Sequence, residues 1–264
     1  MDMITWAAGA VLAAGAPEMA PATQPQPAPA GGFPFMGPSH QWALWTVAAA
    51  CLLLPLGLRR MGRPRLTRAA GWVLAGVLVV NEIMYWVYML GQVDLTHFLQ
   101  NSLPLHVCGI AIFLIAWEMI RHNQLVYELT YYWGLGGTLQ AVLTPNLIVD
   151  APHYLYYQYF IAHGGILVGV LLATLAMGRR PGRGSVLRAF VASNVLMVAI
   201  GLADLALGAN YMFLCERPAG ASPFFFLPWP WYLIFLEFFG LALMGVLYLP
   251  FCLRKKTAAP APLP

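Results

Sequence analysis

Charge is what this sequence has least of. Aspartate, glutamate, lysine and arginine make up 9% of its 264 residues, while 60% are apolar, far from the quarter-charged balance of a soluble domain. With a mean hydropathy of +0.69 and several weakly charged windows longer than about 18 residues, the chain reads as a polytopic membrane protein. Its net charge of +4 is no nucleic-acid footprint, because the basic residues fall in short clusters between apolar runs. No nucleic-acid partner is expected.

Other absences narrow the field further. The four cysteines (Cys51, Cys108, Cys215 and Cys252) show neither metal-ligand spacing nor a disulfide framework. A Cys108–Cys215 disulfide stays open, since both should lie on one side of the membrane. There is no GxGxxG or GxxxxGK[ST] motif and no soluble stretch large enough to hold a nucleotide, so no cofactor is expected. His106 or Cys108 with His163 could bind a metal or haem, but a clustered spacing such as HExxH is missing, and no metal is expected. No internal repeat is visible, which weighs against an inverted-repeat transporter. The opening "MDMITWAAGAVLAAGAP" lacks a basic region and is a poor signal peptide.

What is present organises the chain into three parts. Residues 1–38, ending in the Pro/Ala stretch "PATQPQPAPAGGFPFMGP", are expected to form a disordered tail. Residues 39–253 are expected to form a seven-helix transmembrane domain, and 254–264 a short basic, then Pro/Ala-rich, tail. The fold class is all-α, a polytopic membrane helix bundle. Its spans are predicted at 41–58, 69–91, 103–121, 124–145, 154–178, 185–209 and 230–252. The loop "RRMGRPRLTR" carries five Arg, "GRRPGRG" three, and "RKK" follows the last span, whereas loops 92–102, 146–153 and 210–229 hold only Arg217. Basic loops stay cytoplasmic, so the N-terminus is expected outside and the C-terminus inside. "FFFLPWPWY" fits an aromatic anchor at the outer interface.

Depth, taken at about 1.5 Å per residue, gathers the intramembrane polar residues into the outer half. Glu82, Cys108, Gln140, His163, Asp204 and Glu237 come from six different spans, with Asn210 at the outer mouth. Glu118 and Glu128 fall at inner helix ends, where water or headgroups are expected to solvate them. Intramembrane ionisable groups usually face a bundle interior or cavity. Each also has a plainer reading as interhelical glue, the favoured one for Asn194. Tyr156 and Tyr159 precede His163 at helical spacing, a polar stripe that favours a cavity. His106 and Cys108 are two residues apart and point about 200° away from each other on a helix. A lone buried cysteine is usually inert.

The pieces "LPLHVC" at 103–108, "AHGG" at 162–165, "NYMFLCERP" at 210–218 and "WPWYLIFLE" at 229–237 resemble the YwaF-like integral membrane family across residues 40–252. That family is related to an animal transmembrane acyltransferase acting on ether phospholipids. It is more distantly similar to the androgen-induced transmembrane hydrolases, which use a Thr and a His. The resemblance implies a catalytic Cys and His on separate helices, matching Cys108 and His163. Cys215 departs from the family pattern. Lipids of the cell membrane are then the expected solvent and substrate. Cys108 would form a thioester with His163 as base. Asp204 or Glu237 would orient the imidazole, and Asn210, Gln140 or His106 would face the oxyanion. The alternative is a transporter or receptor-like protein holding a small ligand or ion through Glu82, Asp204 and His163.

Overall fold

The computed structural model describes residues 32–218 and 224–252. The described residues are all-helical, with no strand among them. Helix α1 spans Pro38–Met61 and α2 spans Pro64–Leu90, each opened by a proline where the missing N–H costs nothing. A short α3, Leu95–Asn101, follows, capped by Asp94, whose carboxylate accepts from His97 N. Then come α4 (Val107–Arg121) and α5 (Gln124–Trp133). A π segment, Gly134–Thr138, joins α5 to α6 (Leu139–Leu143). Helix α7 (Tyr154–Leu171) runs into a second π segment, Leu172–Ala176. Helices α8 (Ser185–Leu207) and α9 (Trp231–Cys252) complete the bundle.

Five of these runs are long and apolar enough to cross a membrane: α1, α2, α7 with its π segment, α8 and α9. This makes the chain a multi-pass membrane protein. Each of the seven expected spans falls on a helical run, but the third and fourth differ from expectation. The third begins at Val107 rather than 103, because residues 102–106 turn back instead of coiling. The fourth is interrupted by its glycine-rich π segment. The expected outer loop 92–102 contains α3.

Helix α7 is the axis of the bundle. Its most apolar stretch is 56% buried, against 22% or less for the other four long helices. Small residues make that possible. A Cβ on Gly164 would lie 2.7 Å from Val47 of α1, and one on Gly169 would lie 2.6 Å from Ile115 of α4. Neighbouring backbones can approach only because those atoms are missing. The outward faces carry Trp42, Trp45, Leu53, Val87, Leu205 and Phe238 in the open, as a lipid-facing surface requires.

Part of the expected tail is built into the bundle. Phe33 packs on His40 (ring centroids 5.2 Å apart) and on Phe160, and His40 Nε2 meets the Val142 carbonyl at 3.1 Å. Residues 1–31, and the expected C-terminal tail at 254–264, lie outside the described residues.

At the opposite end, Glu118 and Glu128 overturn the expectation of solvation. Both are 0% exposed. Glu118 is paired with Arg179 (2.8 Å), and Glu128 takes a two-pronged bond from Arg188 (3.0 and 2.8 Å) plus the Gly182 N–H. A loop arginine, Arg179, and one in the first turn of α8, Arg188, fold inward onto carboxylates from other helices, which a reading by depth alone misses.

Candidate functional site

The pieces of "LPLHVC" separate in space. His106 is the N-cap of α4, and Cys108 lies in the helix's first turn. The turn before it packs tightly, since a Cβ on Gly109 would lie 2.8 Å from Pro104 Cα. His106 Nδ1 accepts from Met212 N at 3.1 Å, and its ring lies against Tyr211 and Phe213. Met212 and Phe213 have φ of 56° and 57°, a region that costs non-glycine residues about 1–2 kcal/mol. His106 therefore pins the strained turn at Met212–Phe213.

Cys108 faces elsewhere. Its Sγ lies 3.5 Å from Thr138 Oγ1, in the π segment between α5 and α6. Sequence reasoning missed Thr138. The available signal was "GLGG", a glycine run in the middle of an apolar helix that ends on this hydroxyl. Tyr159 of α7 sits within electrostatic reach of Cys108. The Tyr159 hydroxyl donates to the Ala141 carbonyl at 2.9 Å, and its ring stacks on His163 at 4.1 Å between centroids.

His163 Nδ1 lies 2.8 Å from the Tyr159 carbonyl oxygen. A carbonyl can only accept, so Nδ1 carries the proton, and in the neutral ring the lone pair is left on Nε2. Cys108 and His163 are each partly buried and keep some accessible surface. No direct hydrogen bond joins the two; Tyr159 stacks on His163 and lies in electrostatic reach of Cys108.

The remaining expected pocket residues divide into separate groups. Glu82, 5% exposed, accepts from Trp86 Nε1 at 3.1 Å and lies near Tyr85 and Tyr154. Asp204 Oδ1 accepts from Tyr211 N at 2.9 Å. Tyr211 OH in turn donates to the Leu99 carbonyl and accepts from Leu103 N. Glu237 accepts from Asn194 Nδ2 at 2.9 Å. Neither carboxylate orients His163. The Tyr159 backbone does, because helical geometry puts that carbonyl within reach of an imidazole four residues on.

The oxyanion candidates are also committed elsewhere. Asn210 bonds to Cys215 N, Glu216 N and the Glu216 carbonyl. Gln140 Nε2 donates to Thr144 Oγ1 at 2.7 Å, within its own turn. All four cysteines are free, so Cys108 and Cys215 form no disulfide. Among the described residues no group of three His, Cys, Asp or Glu side chains could hold a metal ion.

Apolar outward faces around the α7 axis define a multi-pass membrane protein. Compared with known families, the chain belongs to the TMEM164 family, whose pattern matches residues 35–248. That range begins within the Phe33–His40 packing region and takes in Cys108, Thr138, Tyr159 and His163. No curated protein and no solved structure gives a significant match.

Proposed function

We propose that this protein is a lipid-modifying enzyme of the cell membrane, transferring or hydrolysing an acyl ester through Cys108 as nucleophile and His163 as base. The observation that carries this is the His163 ring, whose Nδ1–H is held by the Tyr159 carbonyl so that the basic lone pair lies on Nε2, with the free Cys108 thiol in electrostatic reach of the same tyrosine. Both side chains keep some accessible surface. The resemblance to the YwaF-like family and its acyltransferase relative points the same way.

In this mechanism the Cys108 thiol gives its proton to His163 Nε2, directly or through one water. The thiolate attacks the ester carbonyl, and the leaving alkoxide takes the proton back from Nε2 as the thioester forms. A lysolipid hydroxyl or water then loses its proton to Nε2 and attacks the thioester, and the departing thiolate recovers that proton. The Tyr159 carbonyl holds Nδ1–H throughout, the orienting task a carboxylate performs in other triads.

The proposal includes seven crossings with the N-terminus outside. It is supported by arginines in and beside two of the basic segments collecting at one end. Arg179 bonds the Glu118 carboxylate and the His122 carbonyl, Arg68 lies within electrostatic reach of His122, and Arg188 bonds Glu128 and the Arg183 carbonyl. That end collects positive charge as a cytoplasmic face does.

The test is turnover of a phospholipid ester with a lysophospholipid acceptor by the protein in lipid vesicles. Cys108→Ala and His163→Ala should each lower turnover by about 100-fold or more, with thermal stability nearly intact. Turnover that survives Cys108→Ala, or two variants that both unfold, would make the pair structural. Lipidomics of cells bearing wild-type or Cys108→Ala protein would identify donor and acceptor.

A second reading, binding of a small ligand or ion, is favoured by Glu82. This buried carboxylate has one neutral donor, and the buried Tyr154 hydroxyl within its electrostatic reach lacks a hydrogen-bond partner. It requires Glu82→Gln to abolish uptake or binding while Cys108→Ala leaves it unchanged.

A further inference from the structure

Helical hydroxyls in this protein follow a habit that Thr138 breaks. Thr46, Thr67, Thr130, Thr144, Thr174 and Ser193 each donate to the carbonyl four residues back. This back-bonding is the usual way a hydroxyl in an apolar helix satisfies itself. Thr138 makes no such bond to Gly134. The partner of its Oγ1 is Cys108 Sγ, 3.5 Å away on another helix. The reason is local geometry. Gly134–Thr138 is wound as a π segment, in which the Gly134 carbonyl takes the Leu139 N–H five residues on. The wider turn moves the acceptor away from the position a threonine at 138 would use in an α-helix.

The hydroxyl is therefore released from its own helix and presented across the α4–α5 boundary. Thr138 is 0% exposed, so no bulk water competes for its proton. A thiol in apolar surroundings is inert unless a donor and a base stabilise its thiolate. The base is the one assigned to His163 above, and a donor within reach of the sulfur is Thr138.

We propose that Thr138 is the positioning residue of Cys108: its hydroxyl fixes the sulfur and donates a hydrogen bond to it once the thiol proton has left for His163 Nε2. The π segment is the device that frees the hydroxyl for this task. The inference rests on the reading of Cys108 as nucleophile, but its test is separate from lipid turnover.

The measurement is the rate at which the Cys108 thiol reacts with iodoacetamide at fixed pH. It uses full-length protein in detergent with Cys51, Cys215 and Cys252 replaced by alanine. One hydrogen bond to the sulfur predicts that Thr138→Val lowers the rate by about threefold to tenfold. Thr138→Ser should restore it to within about twofold. Thr138→Ala, which removes the hydroxyl without crowding the site, should show the same loss and serves where the valine variant folds poorly. A rate unchanged in the alanine variant, or lowered equally in the serine variant, overturns the proposal. If the alkylation pattern holds while wild-type protein turns over no lipid, the positioning contact stands and the enzymatic reading falls.

Discussion

Removing Arg179 should damage this protein far more than removing its partner Glu118. Glu118 Oε1 accepts from Arg179 Nε at 2.8 Å, while Oε2 is buried with no hydrogen-bond partner. The glutamate side chain is 0% exposed and the arginine 22%. Arg179→Met keeps a stem of similar length against Tyr127, whose ring lies 5.4 Å from the guanidinium. It leaves a carboxylate with no compensating charge in a sealed site, at a cost of about 3–5 kcal/mol. At about 1.4 kcal/mol per decade, that is two to nearly four decades in the unfolding constant. Glu118→Leu leaves the less expensive orphan, since Arg179 already reaches water and the His122 carbonyl and can snorkel further. With both replaced, stability should return to within about 1 kcal/mol of wild type or exceed it. The assay is reversible unfolding by SDS titration in mixed micelles, read by tryptophan fluorescence as a double-mutant cycle. Equal losses in the two single variants, simply adding in the double, would refute the reasoning.

Gly169→Ala should cost about 1–3 kcal/mol, and more than Gly164→Ala, in the same titration. Both neighbours are β-branched, but Ile115 is fully buried whereas Val47 is only partly buried and can yield. His106→Ala removes the acceptor for Met212 N and should cost about 1–3 kcal/mol. It should also open the turn at 210–218 to protease, and an unchanged cleavage rate would show that the turn holds itself. Under non-reducing, denaturing conditions all four cysteines should titrate as thiols, and a count of two would reveal a disulfide. Glu237→Gln preserves an acceptor for Asn194 Nδ2 and should cost less than about 1 kcal/mol. A larger loss would mean that the charge itself matters at this α8–α9 contact.

Hydropathy made the helices legible because span length is set by membrane thickness and apolar composition, both properties of a local window. The run expected at 185–209 is α8 at Ser185–Leu207, and the one expected at 154–178 is α7 with its π segment, ending at Ala176. Breaks in local winding were not legible in this way. Pro104 and the close packing of Gly109 against it delay α4 to Val107, and "GLGG" permits a π turn without announcing one. Ion pairs were hidden for a different reason. Glu118 and Arg179 are separated by 61 residues, as Glu128 and Arg188 are by 60. No periodicity in the sequence links them.

The candidate site shows the same division. Depth placed Cys108, His163, Asp204 and Glu237 in one layer, but a layer is a disc across the bundle and not a pocket. Within it each carboxylate satisfies the nearest unpaired donor, the Tyr211 N–H for Asp204 and the Asn194 amide for Glu237. An unpaired buried group costs more than a remote partner returns. Polar groups in an apolar bundle therefore condense into small local sets, and a group left with an unused lone pair is the informative one. Here that group is the imidazole of His163, its Nδ1 held by the backbone of its own helix. A donor satisfied within the helix needs no carboxylate from another span, so this orienting contact leaves no residue for a reader of the sequence to find.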